Sequence, residues 1–593
     1  MIKITNKNEM KRPLSLILTA IVLTFSSLDM QADTQKILKI DFKSPITEHG
    51  GSAPFSLSSF SFSSLLNSSA SLYGMVRAID SAAVDPNISM IYMTPCNIQA
   101  GLSQMEEIRA ALQRFRNSGK SIVAYCENLS NASYYVASVA DKIVLNPASE
   151  SFVIGLATQQ VFLKDALDAL GVDVQLIRHG KYKSAGEMFI RNDIGPENYE
   201  QNKAMVTSLW NDMCDEIAAS RGFSADEFKG WVNSLALTDA ESFKELGLVD
   251  ELWHKDQLDD YFCQENGTNM LNLVNYVPLN RYIDKLAKKY KKQNRKNRKN
   301  KVVIIYANGE IATSADGSTM SSGDIIVGKN LARTISKVRK DDNVKAVVFR
   351  VNSPGGSVMA SELIKREIDL LKEVKPVVAS YGEYAASGGY WISACTDSIY
   401  TDKTTLTGSI GCFSMVPGIG NAIKKIAKVN IVTIGSSDHS DMMSGIRHLD
   451  EAETAYLQRQ VEDIYDRFTT IVSEGRGMSK DSVDAIAQGR VWTGSDAMGI
   501  GLTDRIGGLA DAVACAARLA GLETYALDEQ PVVEPFSFMS LFAGDVDVDE
   551  DLTSDTGTLA STVIGKVLPF ASLARRQHGT AMYARMPYLY SFD

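Results

Sequence analysis

The run AVVFRV, 346–351, is apolar except for Arg350, the pattern of a short strand buried on both faces. The turn NSPGG follows, and then Ala360, Leu363, Ile364, Ile368 and Leu371 recur at helical spacing, which predicts an amphipathic helix. KPVVAS (375–380) reads as another strand, a second helix starts from Ser387, and SIYTD (398–402) reads as a short third strand. Earlier in the chain Leu102, Met105, Ile108, Leu112 and Phe115 share one helical face in the same kind of succession. Strand and helix alternating in this way predict an α/β fold with parallel strands.

The two stretches are copies of one another. At a constant displacement of 256, Arg77 falls on Arg333, Ile79 on Ile335, Asp85 on Asp341 and Asn87 on Asn343. The same register carries Glu106 to Glu362, Tyr125 to Tyr381, Tyr134 to Tyr390, Asp141 to Asp397 and Ile154-Gly155 to Ile410-Gly411. One register held without a gap over this span is the mark of an internal duplication. At 593 residues the chain exceeds what one core supports, so two α/β domains in tandem are expected.

Charge and cysteine usage narrow the class. A net charge of −10 argues against nucleic acid as the main partner. The seven cysteines are scattered, with no CxxC pair, a pattern of neither a zinc site nor a disulfide scaffold, and no metal or cofactor is expected. At the N-terminus Lys3, Lys7, Lys11 and Arg12 precede an apolar run, Leu14 to Leu28, the layout of an export signal or signal-anchor. Fifteen helical residues span only about 22 Å, short of the roughly 30 Å hydrocarbon core. Between the copies Lys285 to Lys301 holds ten basic residues, which reads as a solvated linker, with anionic lipid headgroups as the sharper alternative. The expected division is a signal or anchor at 1–32, a first repeat at 33–284, the basic linker at 285–301, a second repeat at 302–523, and a tail of short helices at 524–593.

The chemistry lies where the copies differ. TLTGSIG, 405–411, places Ser409 on a tight turn, and Val153 is its counterpart in the first copy. RHGKYKSAGEMF, with Lys181 and Lys183, follows Val153 by about thirty residues, whereas the matching stretch of the second copy, GSSDHSD, has no lysine. Each copy thus keeps one half of a pair, which points to a Ser–Lys dyad assembled between domains. A serine hydroxyl is a weak nucleophile until a base takes its proton. A lysine serves only when neutral, and bringing its pKa from about 10.4 to near 7 takes roughly 4 kcal/mol, which burial can supply. A lysine in that role needs a dry pocket with few carboxylates near it. Gly355 and Gly356 of NSPGGSV are expected to let backbone N–H groups approach a developing oxyanion, and Gln99-Ala100 replaces them in the first copy. Lys181 and His179 stand as other bases, His439 and His448 keep a Ser–His pairing open, and Cys412 lacks the basic surroundings that activate a thiol.

The strings RVNSPGGSVMASE, AASGGYWIS, TLTGSIG, GRVWTG and KYKSAGEMFIR resemble the signal peptide peptidase A (protease IV) family in its long, tandem-domain form, from about residue 38 to 522. The resemblance implies a crotonase/Clp-protease-like fold. It also implies a membrane-anchored serine endopeptidase with a Ser–Lys dyad, facing the periplasm from the bacterial inner membrane. Hydrophobic peptides, cleaved signal peptides among them, would be the substrates, and a bowl-shaped homotetramer the assembly. Carried over by motif, Ser409 is the nucleophile and Lys183 the base, the latter because Tyr182 to Ala185 matches the family's Tyr-Lys-Ser-Ala. Two other classes compete with the peptidase: an acyl-CoA enzyme of the crotonase type, and a catalytically silent scaffold.

Overall fold

The computed structural model describes residues 36–49, 71–314, 324–531 and 583–586. Two parallel sheets form from the apolar runs of the two copies. In the first, the spatial order is Glu251–Leu252, Lys142–Leu145, Ser121–Cys126, Ile88–Thr94, Lys36–Asp41 and Tyr276–Pro278, all pairs being parallel. In the second, Val377–Ala386, Val344–Ser353, Lys301–Asn308 and Ala526–Gln530 lie side by side in parallel, flanked by Leu406–Gly408 and then the antiparallel Val491–Thr493. The duplication holds in three dimensions. Strands Lys142–Leu145 and Ser398–Thr401 match at both ends under the sequence displacement, and helices Leu102–Asn117 and Val358–Lys372 start in register.

A third sheet mixes the copies, and it is what builds the site. Its order is Ile325–Val327, Glu310–Ala312, Gly355–Ser357, Tyr583–Arg585, Cys412–Gly418 and Asp173–His179. The last of these belongs to the first copy and pairs antiparallel with Cys412–Gly418 of the second, Cys412 opposite His179 and Gly418 opposite Asp173. The tail, expected as short helices over 524–593, contributes strands where it is described: Ala526–Gln530 pairs with Lys301–Asn308 and Tyr583–Arg585 with Gly355–Ser357, and the rest lies outside the described residues.

Charge joins the copies elsewhere. Arg350 of the second copy is 1% exposed and donates from Nε to Glu48 at 2.8 Å and from Nη2 to Glu107 at 2.7 Å, both in the first copy. Its Nη1 donates to Ser380 Oγ and to the Tyr381 carbonyl. This explains the single charge inside the otherwise apolar AVVFRV run.

The basic stretch is not an open linker. Residues Leu279–Lys296 form one helix whose Leu279, Tyr282 and Leu286 are buried against the first copy. Asn294 exchanges hydrogen bonds with the backbone of Leu527, on the strand Ala526–Gln530 at the edge of the second sheet, at 2.8 and 3.2 Å. Apolar residues at helical spacing decide the structure, and the lysines and arginines occupy the remaining faces. The N-terminal apolar run lies outside the described residues, and among those no helix is long and apolar enough to cross a membrane.

Candidate active site

The antiparallel ladder between the copies sets the geometry. Ser409 precedes Cys412 by three residues and Lys183 follows His179 by four, so both lie just beyond the Cys412–His179 end of the ladder, on the same side. There Tyr182 N–H donates to the Gln488 carbonyl at 2.9 Å, and Arg178 Nη1 donates to the Lys183 carbonyl at 2.7 Å, pinning the backbone on both sides of the lysine side chain. Gly489 has φ +80°, and a Cβ there would lie 2.6 Å from both the backbone N and the Cβ of Lys183. Replacing Gly489 with Ala is therefore expected to push this turn away. Peptide hydrolysis should fall by about tenfold or more while the circular dichroism spectrum stays that of the parent.

Lys183, Ser387 and Ser409 are each 0% exposed. Lys183 Nζ lies 2.8 Å from Ser387 Oγ, 3.0 Å from Ser409 Oγ and 3.0 Å from the Ser409 carbonyl oxygen. Burial pulls the amine's pKa down to about 7, against a smaller opposing influence from the nearby Cys412. A neutral amine has two N–H donors and one lone pair. The Ser409 carbonyl can only accept, so it takes one N–H. The two hydroxyls then share the remaining N–H and the lone pair, and the hydroxyl facing the lone pair gives up its proton.

Ser387 is the residue the sequence reading passed over. Its backbone is at φ 55°, ψ −114°, a strained turn between strand Val377–Ala386 and the helical turn Gly388–Trp391. A strand-to-helix turn of this kind is how a nucleophilic serine is held out toward substrate in unrelated hydrolases. Ala385 pairs with Ser353, placing Ser387 beside the Ser353–Gly356 segment. The duplication carried a signal for it: Ser387 falls on Asn131, which instead ties down its own loop, its Oδ1 accepting from Ile154 and Gly155 N–H at 3.1 Å. Ser409 also has positive φ, at 49°, and its N–H is used by the Arg490 carbonyl at 2.7 Å.

The other expected groups are placed as follows. Gly355 N–H donates to Ser353 Oγ at 3.2 Å. Gly356, at φ +154°, sits where a Cβ would be 2.0 Å from the Ile311 carbonyl oxygen, so only glycine fits. Lys181 is exposed, its amine 5.1 Å from the centre of the Tyr182 ring. His179 stacks on Tyr465 with ring centres 3.9 Å apart, His439 pairs with Glu453 at 3.0 Å, and His448 pairs with Asp173. Cys412 is buried with its thiol pushed up to about 12 and donates to the Val461 carbonyl, an inert setting.

A buried amine against serine hydroxyls, with a glycine turn alongside and no imidazole in the cluster, is the equipment of a serine-type hydrolase. The family model for Peptidase family S49 matches residues 114–267 and 369–523, one segment in each copy. "Protease 4" of Haemophilus influenzae is 34% identical over 82% of this chain and 78% of its own. "Protease 4" of Salmonella typhi is 35% identical over 78% of this chain and 75% of its own. "Serine protease SPPA, chloroplastic" of Arabidopsis thaliana is 31% identical over 77% and 67%. The chain belongs to peptidase family S49 and is a serine-type peptidase of the long, tandem form.

Proposed function

We propose that the protein is a serine endopeptidase whose base is Lys183 and whose nucleophile is Ser387, with Ser409 orienting the amine. The observation that carries this is the 2.8 Å contact between Lys183 Nζ and Ser387 Oγ in a site closed to water. This moves the nucleophile from Ser409, which the motif comparison favoured, to the serine on the strained turn beside the glycines. Ser409 holds Nζ through both its carbonyl and its hydroxyl, a clamp that aims the lone pair at Ser387. Ser409 as nucleophile is the second reading, favoured by its own 3.0 Å contact with the amine.

In the reaction, the neutral amine takes the Ser387 proton as Oγ bonds to the scissile carbonyl carbon. The backbone N–H of Gly356 would face the oxyanion, with that of Gly355, which donates to Ser353 Oγ in the free enzyme, beside it. The ammonium then returns its proton to the departing amine nitrogen, leaving an acyl-serine that water hydrolyses with the same lysine as base. All the groups come from one chain. Hydrophobic peptides, including cleaved signal peptides, are the proposed substrates. The proposed setting is the periplasmic face of a bacterial inner membrane, with the apolar N-terminal run as the attachment and a homotetramer as the assembly. The names of the relatives favour the peptidase over the acyl-CoA and scaffold alternatives. Hydrolysis of a leucine-rich peptide without any affinity for coenzyme A is the result that separates them.

The base must be unprotonated, so kcat/KM is expected to climb with pH through about 7 and to level off above it, the acid limb reporting the lysine in the free enzyme. An acid limb near the ordinary lysine pKa, about 10.4, would contradict a buried base.

A further inference from the structure

The strand Tyr583–Arg585 lies between two strands that border the catalytic residues. It is antiparallel to Gly355–Ser357, with Arg585 opposite Gly355 and Ala584 opposite Gly356, and on its other side Tyr583 faces Phe413. Met586 N–H donates to the Pro354 carbonyl at 2.6 Å. The Met586 side chain is 1% exposed and belongs to the buried apolar cluster that includes Ala386, Leu406 and Val491, and Ala386 is the residue before Ser387. An extended peptide added between two strand edges, with its backbone paired and an apolar side chain lodged beside the nucleophile, is how a groove of this kind receives a substrate.

The residue before the apolar anchor meets a charge. Arg585 Nη2 lies 3.8 Å from Glu310 Oε2, and both side chains are buried. Glu310 heads the strand Glu310–Ala312, whose Ile311 pairs with Gly356, so its carboxylate is carried on the same sheet as the glycine turn. A buried carboxylate favours a cation and penalises an anion at that position, because either an unpaired or a like-charged partner is costly away from water.

We propose that Glu310 is a specificity-determining residue: it forms a subsite that accepts a basic side chain immediately before the apolar residue held next to Ser387, and the chain's own Arg585-Met586 fills these two subsites. This rests on the peptidase reading for the use of the groove, but the test reads binding, which does not need turnover.

The full chain carrying Ser387→Ala is compared with the same chain that also carries Arg585→Glu and Met586→Asp, which vacate the slot. Fluorescent peptides containing Tyr-Ala-Arg-Met or Tyr-Ala-Glu-Met are the probes, and anisotropy is the readout. The vacated protein should bind the arginine peptide at least about tenfold more tightly than the glutamate peptide. Glu310→Gln should shrink that ratio to near one, and Glu310→Lys should invert it. The protein with its native tail should bind the arginine peptide more weakly than the vacated one. Equal affinities for the two peptides, or a preference that survives Glu310→Gln, would overturn the subsite; equal binding with and without the native tail would overturn self-occupancy. Failure of the Ser387 enzyme to hydrolyse the arginine peptide that its Ala variant binds would count against the peptidase reading and leave the subsite standing.

Discussion

Ser387→Ala should lower kcat/KM for a leucine-rich peptide by at least about a thousandfold, while Ser409→Ala should cost only about ten- to a hundredfold. The first change removes the atom that bonds to the carbonyl carbon, for which the site has no substitute. The second removes one of three oxygens around Lys183 Nζ and leaves the backbone carbonyl at position 409 in place. With that hydroxyl gone the ammonium loses an acceptor, so the acid limb of the pH profile should move down in Ser409→Ala. Ser409→Thr, which restores a hydroxyl, should recover part of the rate. A mere packing role for Ser409 would leave the acid limb where it was, and a nucleophilic role would make its loss as severe as that of Ser387.

Arg350→Met should destabilise the protein by about 3–5 kcal/mol, read by urea unfolding. The guanidinium is the shared partner of Glu48 and Glu107, and its removal leaves buried negative charge from the first copy facing an apolar strand of the second. Burial already pushes the Glu107 carboxyl up, with Arg350 the main opposing influence. Without Arg350 the folded-state pKa of Glu107 rises further above its unfolded value. The variant's deficit should therefore shrink as pH falls and Glu107 takes up a proton, and grow as pH rises. A deficit that does not change with pH would mean that Arg350 acts by packing alone.

Much of this molecule was legible in its sequence because duplication compares the chain with itself. The apolar runs became parallel strands, the displacement placed the strands and helices of one copy on those of the other, and the unmatched Lys183 and Ser409 do meet. Ser387 stood under the same comparison, opposite Asn131, but ASGG reads locally as an ordinary helix start. Its positive φ exists only in the folded turn, which packs so closely that a Cβ on Gly389 would sit 2.6 Å from the Ser353 carbonyl oxygen. In Lys285 to Lys301 the charge run masked the helical spacing of Leu279, Tyr282 and Leu286, which begins before it. The pairing of Tyr583–Arg585 with Gly355–Ser357 joins segments far apart in the chain, and no local pattern encodes it.

Phosphonylation by a fluorophosphonate, in which the activated serine oxygen bonds to phosphorus and fluoride leaves, followed by peptide mapping in a mass spectrometer, asks directly which oxygen the buried amine activates. With Ser387 as the nucleophile that Lys183 activates, the adduct is expected on Ser387 and should be lost in Lys183→Ala. An adduct on Ser409 with Ser387 unmodified, or undiminished labelling of Ser387 without the lysine, would contradict that assignment.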